Sequence, residues 1–372
     1  MASRRPTLMS VVGARPNFIK LAPLCEELAR CGDRLRHVVV HTGQHYDANM
    51  SGRFFDELSI PAPDLHLDAG SGSHAVQTAR ILERFEGVCE GERPDWVIVV
   101  GDVNSTLACA LVAAKLGIRV AHVEAGLRSF DRRMPEEINR ALTDVLSEVL
   151  FTTSADADAN LVREGIGRER IVRVGNIMID ALVGHLAAAD ARRTWERFGV
   201  SPDEYAFLTL HRPGNVDDPE RLGAIVRGIA ALASELPVVF PVHPRTAERL
   251  RCSNLRDSLD AAGVRCTEPV GYLDSICLAR HARLAVTDSG GLQAELAYLG
   301  TPCLTVRPST EWTVTLHGGG NRLTEPERLV ADARDVLRRR KSELAGRVPE
   351  LWDGKTAVRI VEWFLGRAGR EV

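Results

Sequence analysis

Short apolar runs alternate along the chain with stretches in which apolar residues recur at helical spacing. The runs are rich in valine, leucine and isoleucine, which is typical of strands buried on both faces of a parallel sheet. Segments such as FIKLAPLCEELARC and STLACALVAAKLG lie between them and are predicted helices. The predicted strands fall in two blocks: 7–12, 36–41, 96–101, 119–124 and 149–153, then 205–211, 237–243, 264–266, 283–288 and 302–306.

Two blocks of alternating strands and helices predict two doubly wound, Rossmann-like α/β domains. A chain of 372 residues is long enough for both. The pattern weakens between residues 176 and 200 into a helical stretch, so we expect an N-terminal domain over 1–180 and a C-terminal domain over 181–354. The final segment, 355–372, contains a helical pattern that can pack on either domain, including back on the first.

Composition excludes several classes of partner. Apolar residues make up 45% of the chain and charged residues 26%, as in ordinary globular proteins. The formal net charge of −3 gives no global positive field for nucleic acid, and no apolar run approaches the roughly 20 residues of a membrane helix. Eight cysteines without a C-x-x-C pair favour a reducing compartment. We therefore expect a cytoplasmic protein that binds neither nucleic acid nor membrane.

The segment 97–140 collects polar side chains at the ends of predicted strands and on the helices that follow. Asp102 and Glu124 come at strand ends, and Glu136 and Arg140 lie on the next predicted helix. Open α/β sheets bind ligands at the carboxyl ends of their strands. The segment therefore predicts carboxylates that transfer protons beside an arginine that holds an anion.

The first predicted strand leads into a helix N-terminus. Pro16 suits the first helical turn, and Arg15 and Lys20 then lie near the unpaired N–H groups of a natural anion site. The fingerprint G-x-G-x-x-G is absent, so this segment does not predict a dinucleotide cofactor. His41 and His45 are four residues apart, but no third ligand is evident and we expect no metal site.

Two strand ends of the second block carry histidines. His211 precedes Arg212, and His243 lies two residues before Arg245. A histidine at such a position can act as a general acid or hold a phosphate. We therefore regard both histidines as candidates for the site.

The segment TDSGGLQAELAYLG (287–300) is the strongest phosphate motif in the chain. Ser289, Gly290 and Gly291 open a predicted helix directly after a strand, so that N–H groups and the helix dipole favour a diphosphate. Glu295, about one and a half turns further on, can accept hydrogen bonds from a ribose. These residues predict an enzyme that acts on a nucleotide diphosphate compound.

Seven motifs in their order and spacing resemble those of the non-hydrolysing UDP-N-acetylglucosamine 2-epimerases. They are GARPNFIKLAP, TGQHYDANMS, GDVNSTLACALVAAKLGIRVAHVEAGLRS, MPEEINR, HRPGN, PVHPRT and DSGGLQAE. The resemblance covers nearly the whole chain. It implies the glycosyltransferase-B architecture, in which two Rossmann-like domains face a cleft, and a homodimer.

The resemblance also implies a reaction. The C2 proton of the sugar is not acidic, and the family removes it by eliminating UDP across C1–C2. The products, 2-acetamidoglucal and UDP, are then recombined with the proton on the other face of C2. This chemistry implies neither a nicotinamide cofactor nor a metal.

Residue roles carried over by motif are also implied. Asp102, Glu124 and Glu136 match the catalytic carboxylates, with the base unassigned among them, and His211 is expected near the glycosidic oxygen. The substrate-binding set is Arg15, Lys20 and Arg140 for diphosphate and sugar, Ser289, Gly290 and Gly291 for phosphate, Glu295 for ribose, and His243 as a further candidate. Arg128 and Glu137 are expected to serve in structural pairing.

The chain departs from the family pattern at several positions. Trp312 stands where T-E-R supplies an arginine, and Val270 and Ser275 replace a polar and an aromatic residue near uracil. Some bacterial members bind a second UDP-N-acetylglucosamine as an activator through a glutamine after the Q-H pair. Here Tyr46 and Asp47 follow that pair, so we expect this activation to be weak or absent.

Several alternative functions remain open at this point. The same reaction on UDP-2,3-diacetamido-2,3-dideoxy-glucuronic acid would use the same residues, and members acting on it share T-E-W with this chain. A hydrolysing epimerase would release free N-acetylmannosamine. A retaining glycosyltransferase would not need three carboxylates, and a catalytically inactive binding protein would not need His211 beside them.

Overall fold

The chain divides into two compact units, and the first is formed by two segments that flank the second in the sequence. A computed structural model describes residues 5–13, 15–43, 62–318 and 320–368, apart from the side chains of residues 15, 16 and 368. The units are Met1–Val183 with Glu350–Val372, and Gly184–Pro349. The second unit is therefore inserted in the sequence of the first.

The first unit is built on a parallel sheet with helices between its strands. The strands are β1 Thr7–Val12, β2 Arg36–His41, β3 Leu65–His66, β4 Trp96–Val100, β5 Arg119–Ala125, β6 Val149–Thr152 and β7 Ile171–Arg173. The helices are α1 Arg15–Ala29, α2 His74–Glu92, α3 Asn104–Lys115, α4 Pro135–Leu146 and α5 Ala155–Arg163, followed by α6 Ile177–Ala191, which begins in this unit and ends in the second. Within the described residues the strand order is β3-β2-β1-β4-β5-β6-β7, and every pairing is parallel.

The second unit repeats this design. Its strands are β8 Ala206–Thr209, β9 Val238–Pro241, β10 Arg265–Thr267, β11 Leu284–Thr287, β12 Cys303–Val306 and β13 Asn321–Thr324. Its helices are α7 Thr194–Arg197, α8 Pro213–Val216, α9 Pro219–Ala233, α10 Pro244–Cys252, α11 Arg256–Ala261, α12 Tyr272–His281, α13 Gly290–Leu299, α14 Val314–His317, α15 Leu329–Arg338 and α16 Lys341–Leu344. The strand order, β10-β9-β8-β11-β12-β13, is again parallel throughout.

The predicted fold class of two doubly wound, Rossmann-like α/β domains is confirmed. Central strands such as β1, β4 and β6 are buried along their whole length. Helices cover both faces of such a sheet, which is why the apolar runs in the sequence are continuous.

The last helix, α17 (Thr356–Ala368), packs on the first unit. Its Trp363 and Phe364 meet Trp96 at centroid distances of 5.5 and 5.4 Å, and Phe151 at 5.3 and 5.9 Å. These edge-to-face contacts bury aromatic surface at the sheet.

Three strands are not predicted by the sequence pattern: β3, β7 and β13. Each is an edge strand of two to four residues and is only partly buried. A short, half-exposed strand needs no continuous apolar run, so the pattern gives no signal there. The prediction for 205–211 was too long, because β8 ends at Thr209 and leaves His211 in the following loop.

Both sheets have a topological switch point, where successive connections leave in opposite directions. It lies between β1 and β4 in the first unit, and between β8 and β11 in the second. Doubly wound sheets bind ligands outside the carboxyl ends of the strands at this point.

Candidate functional site

The switch point of the first unit holds a buried ion pair. The turn after β1 leads into α1, which carries Lys20, and β5 carries Glu124 near its end. The Lys20 ammonium donates a hydrogen bond to Oε2 of Glu124. The side chains are 13% and 3% exposed, so both charges lie largely out of water.

The backbone at Glu124 is unusual for a glutamate. Its φ of +70° lies in the left-handed region, and the β5–β6 register shifts between Val123 and Ala125. Such an irregularity in a strand re-aims a side chain and is common beside active sites. Left-handed backbone at a residue other than glycine is strain that clusters at functional sites.

The second carboxylate oxygen of Glu124 has no partner among the described residues. Oε1 is buried and accepts no hydrogen bond there. Burial raises the pKa of Glu124, and the charge and hydrogen bond of Lys20 act against that rise. An unpartnered buried acceptor with a raised pKa is the environment expected of a general base.

Asp102 and Arg140 form a second ion pair at the same strand ends. Asp102 follows β4 and its side chain is 30% exposed, whereas Arg140 of α4 is buried. The guanidinium also donates to Glu137 at 2.9 Å. Glu137 in turn accepts the backbone N–H groups of Ser129 at 3.0 Å and Phe130 at 2.8 Å. The expected structural role of Glu137 is confirmed by these bonds.

Glu136, the third predicted carboxylate, is placed differently. It lies exposed in the first turn of α4 and makes no hydrogen bond or ion pair with the residues that the structure describes. The structure thus brings Lys20, Glu124, Asp102 and Arg140 together and leaves Glu136 at the surface of its unit.

The switch point of the second unit is organised by Asp288, which follows β11 and is fully buried. It accepts the backbone N–H of His211 at 3.1 Å and that of Arg212 at 2.9 Å, and the Asn215 amide at 3.1 Å. The ring Nδ1 of His211 lies 3.1 Å from Oδ1 of Asp288. Burial acts to raise the pKa of Asp288, but these donors lower it below its usual value.

His211 itself is partly open to solvent. Its side chain is 41% exposed, although Asp288 fixes one edge of the ring. A carboxylate on Nδ1 orients an imidazole so that Nε2 can act on a ligand. His243 lies beside it, with 5.7 Å between ring centroids.

His243 also has a structural task. Its Nδ1 accepts the backbone N–H of Arg245 at 3.3 Å and caps the N-terminus of α10. Burial and the neighbouring charges of His211 and Arg245 lower the pKa of His243, which favours the neutral ring that such a cap requires.

Helix α13 begins at Gly290, as the sequence predicts. Ser289 is its N-cap, and the Ser289 hydroxyl accepts the N–H of Leu292 at 3.3 Å. A side chain at position 290 would clash with Glu311 and would meet Trp312 at 3.2 Å. Protein packing therefore favours glycine at this position, in addition to the approach of a diphosphate that the sequence predicts.

Glu295 lies on the same helix and faces Tyr272 of α12. The Tyr272 hydroxyl donates to Oε1 of Glu295 at 2.8 Å. Burial raises the pKa of Glu295 to about 7, although the tyrosine hydrogen bond acts against the rise. The carboxyl group is therefore poised between its charged and neutral forms near neutral pH.

Some predicted residues lie outside the described part of the structure. They are the Arg15 side chain and residues 44–47, which carry the predictions on His45 and on activation. His41 is described; it packs against Phe18 and His66, and burial lowers its pKa to about 4. In the described ranges no helix is long and apolar enough to cross a membrane.

Sequence reasoning did not assign roles to Asp288 and Tyr272. It also missed the side chains that contact the carbonyls of the turn after β4, which are those of Asn17, His122 and Asn139. A usable signal existed for Asp288, because it directly follows a predicted strand and precedes the phosphate motif. None existed for Tyr272, whose pairing with Glu295 depends on how α12 packs against α13.

Comparisons with known proteins give a consistent result. Residues 28–365 match the family model for UDP-N-acetylglucosamine 2-epimerase. The chain is 44% identical over 343 residues to the UDP-N-acetylglucosamine 2-epimerase of Methanocaldococcus jannaschii, covering 90% of this chain and 93% of that protein. It is 43% identical over 334 residues to the UDP-2,3-diacetamido-2,3-dideoxy-D-glucuronate 2-epimerase of Pseudomonas aeruginosa, covering 89% and 90%.

Solved structures agree with the sequence matches. The crystal structure of Methanocaldococcus jannaschii UDP-GlcNAc 2-epimerase in complex with UDP-GlcNAc and UDP is similar with a TM-score of 0.87 and 42% identity. The match covers 96% of this chain and 99% of that one. The Neisseria meningitidis UDP-GlcNAc 2-epimerase bound to UDP-GlcNAc matches with the same TM-score at 29% identity, covering 97% and 100%.

Proposed function

This chain belongs to the UDP-N-acetylglucosamine 2-epimerase family, and we propose that it interconverts UDP-N-acetylglucosamine and UDP-N-acetylmannosamine. The observation that supports this most directly is the Glu124 carboxylate. This carboxylate is buried, is paired with Lys20 through one oxygen, and has no described partner on the other. The backbone that carries it is strained.

The proposed chemistry is elimination and re-addition of UDP. A base takes the proton from C2, the C2–H electron pair forms the C1=C2 double bond, and UDP leaves with the C1–O bonding pair. The intermediate is 2-acetamidoglucal. UDP then adds back to C1 while a proton is delivered to the opposite face of C2. Only a proton and a leaving group move, so no hydride carrier takes part.

We assign the base to Glu124. A carboxylate with a raised pKa removes a weakly acidic proton more readily than one at its ordinary value. Lys20 holds Glu124 in place, and Asp102 or Glu136 supplies the proton on the opposite face. Arg140 holds Asp102 in place through their ion pair. Arg140 therefore has a positioning role in addition to its predicted role of holding an anion.

The second unit supplies the nucleotide-binding groups in this proposal. The N–H groups of Ser289, Gly290 and Gly291 at the start of α13 bind the diphosphate, since a helix N-terminus favours anions. Glu295 accepts the ribose hydroxyls. His211, oriented by Asp288, donates to the glycosidic oxygen as UDP departs.

The remaining predicted contacts are also proposals. His243 beside His211, and Arg15 at the start of α1, complete the set that binds the substrate.

A second candidate substrate is UDP-2,3-diacetamido-2,3-dideoxy-D-glucuronate. The relative named for that compound is 43% identical to this chain, against 44% for the relative named for UDP-N-acetylglucosamine. A difference this small does not favour one substrate, so both compounds belong in the same experiment.

We further propose that the protein is a cytoplasmic homodimer. Ile138, Leu142 and Val145 of α4 are 43%, 49% and 64% exposed and lie on one side of that helix. An exposed apolar stripe is typical of an interface, and the buried free cysteines suit a reducing compartment. Light scattering after gel filtration should give a dimer mass for the wild type and a monomer mass for Leu142→Glu. A monomeric wild type would contradict the proposal.

Incubation in D2O with each sugar nucleotide, followed by proton NMR, tests the activity. Deuterium at C2 of UDP-N-acetylglucosamine with UDP-N-acetylmannosamine appearing supports the leading assignment. Exchange on the diacetamido uronate alone supports the second candidate. Free N-acetylmannosamine would indicate hydrolysis, and no exchange on either compound would overturn the proposed function.

A further inference from the structure

A fully buried histidine and aspartate lie behind the carboxylates of the first unit. We propose that His122 and Asp144 are positioning residues that hold a fixed positive charge behind Glu124 and fasten the turn that carries Asp102. The proposal rests on the proposed function, since it concerns how the base of that reaction is tuned.

The hydrogen bonds of His122 show where its protons lie. Nε2 is 2.8 Å from the carbonyl oxygen of Gly101. A carbonyl can only accept, so Nε2 must carry a proton. Nδ1 is 2.6 Å from Oδ1 of Asp144, so this nitrogen also carries a proton if Asp144 is ionised.

The surroundings of Asp144 keep it ionised. Its Oδ2 accepts the N–H of Gly126 at 3.1 Å and pairs with the Arg128 guanidinium at 2.7 Å. Burial acts to raise the pKa of Asp144, but His122 and Arg128 lower it below its usual value. His122 is then an imidazolium that donates from both nitrogens, with its positive end toward Gly101.

The turn after β4 depends on this donor. Three consecutive carbonyls, those of residues 100 to 102, are each held by side chains. The Val100 carbonyl accepts from Asn17 at 2.7 Å, and that of Asp102 accepts from Asn139 at 2.9 Å. His122 holds the middle one, at Gly101, where φ is +71°. It is the charged donor of the three, and charge-assisted hydrogen bonds are the stronger kind.

Charged side chains from four parts of the first unit act on Glu124 or on its partner Lys20. Lys20 on α1 and His122 on β5 stabilise its anion, and Asp102 after β4 opposes it. The charge of Arg140 on α4 acts to lower the pKa of Lys20. Removing the His122 charge therefore leaves Lys20 as the cation that favours the Glu124 anion, and the pKa of Glu124 rises.

The hydrogen-bond network of His122, Asp144 and Arg128 reaches the surface of the first unit at Glu164. Arg128 is bidentate to Glu164, the C-cap residue of α5, at 2.8 and 2.6 Å, and the Glu164 side chain is 37% exposed. Glu164 touches neither His122 nor the turn at Gly101, so it provides a matched control for loss of a charge in the same network.

Asp144→Asn is the decisive variant. The new amide can still accept from Gly126 and Arg128, and its NH2 group can donate to Nδ1 of His122. The ring then becomes neutral while every hydrogen bond in the network is retained. The positive charge of His122 and the negative charge of Asp144 are lost together, and His122 is the one of the two that acts on Glu124. The variant therefore separates electrostatics from folding.

The expected result is a kinetic and a titration effect. At a pH on the acid limb of the profile, the kcat for C2 exchange in D2O falls about tenfold in Asp144→Asn because less Glu124 is ionised, with KM within about twofold of wild type. The acid limb of the kcat profile moves up by about one pH unit, since a nearby charge shifts a pKa by that order. His122→Gln has a larger effect in the same direction. Glu164→Gln leaves the acid limb in place.

A spectroscopic readout works without activity. The protein is labelled with 15N-histidine, and the ring signals of His122 are identified as those missing from the spectrum of His122→Gln. At neutral pH both ring nitrogens should be protonated in the wild type, and one of them in Asp144→Asn. A neutral ring in the wild type would overturn the inference, as would an unmoved acid limb in Asp144→Asn. Absent C2 exchange in the wild type would instead overturn the proposed function, and the NMR result would still stand on its own.

Discussion

The two units share one topology but use their switch points differently. Both have a doubly wound parallel sheet, and in both the polar side chains gather after the two central strands. In the first unit these side chains are buried ion pairs around Glu124. In the second they are a helix N-terminus and a half-exposed histidine. The fold fixes where chemistry can occur, and the residues after each strand decide which chemistry it is.

In each unit a histidine at the candidate site contacts a fully buried aspartate, and the difference between the two contacts is informative. His122 is fully buried and both of its nitrogens are bound. His211 is 41% exposed, and one edge of its ring is fixed by Asp288. The first contact holds a charge in place, whereas the second leaves a ring nitrogen able to meet a ligand.

The largest expected effect comes from Glu124→Gln. The amide keeps the size of the side chain but cannot take a proton, so C2 exchange should fall by about 10³-fold. UDP affinity, measured by calorimetry, should stay within about twofold of wild type, because Glu124 is not among the groups proposed to bind UDP and all of these except Arg15 lie in the other unit. Retained exchange would remove Glu124 as the base, and lost UDP binding would break the division between the units.

His211→Asn tests whether that division is complete. We expect kcat to fall about a hundredfold, since a general acid at the leaving oxygen contributes by that order. UDP affinity should change little. Arg249→Gln, a substitution at a surface ion pair of the same unit with Asp217, is the control. An unchanged kcat in His211→Asn would confine the chemistry to the first unit.

Glu295 should make UDP binding depend on pH. Its pKa of about 7 in the free protein should drop when ribose hydroxyls donate to the charged form. Binding then releases a proton, so affinity is full above pH 7 and weakens as the pH falls through 7. The loss should be about tenfold between about pH 8 and about pH 6.

Two variants separate this effect from the titration of UDP itself. In Glu295→Gln the extra pH dependence should disappear, leaving only that of the ligand. Tyr272→Phe removes the donor that lowers the pKa of Glu295, so the midpoint should move to higher pH. The same pH dependence in wild type and Glu295→Gln would exclude Glu295 as the ribose acceptor.

The smallest expected effect concerns His243. Loss of its cap in His243→Ala should lower the free energy of unfolding by about 1 kcal/mol, as measured by denaturant titration. His243→Asn should restore stability, because asparagine is a good N-cap residue. UDP affinity should be measured in both variants. If His243→Ala weakens UDP binding and His243→Asn restores it, the role of His243 is structural; weak binding in both variants would establish that His243 contacts UDP.

Sequence patterns predicted most of the fold because central strands are buried on both faces and leave continuous apolar runs. The edge strands β3, β7 and β13 could not be predicted, since a half-exposed strand of a few residues carries no such pattern. Asp102 and Glu124 could be predicted as strand-end carboxylates. The left-handed backbone of Glu124, the protons on His122 and the contact of Tyr272 with Glu295 could not, because each depends on contacts between residues distant in sequence.

The return of α17 to the first unit has a consequence for the order of synthesis. A ribosome makes Trp96 and Phe151 early, but the Trp363 and Phe364 that cover them come after the whole second unit. The inserted unit can finish folding while the sheet around β4 and β6 still lacks its cover. Completion of the first unit thus waits until residues beyond the whole second unit have been made, and aggregation is most to be expected from nascent chains that stop before residue 356.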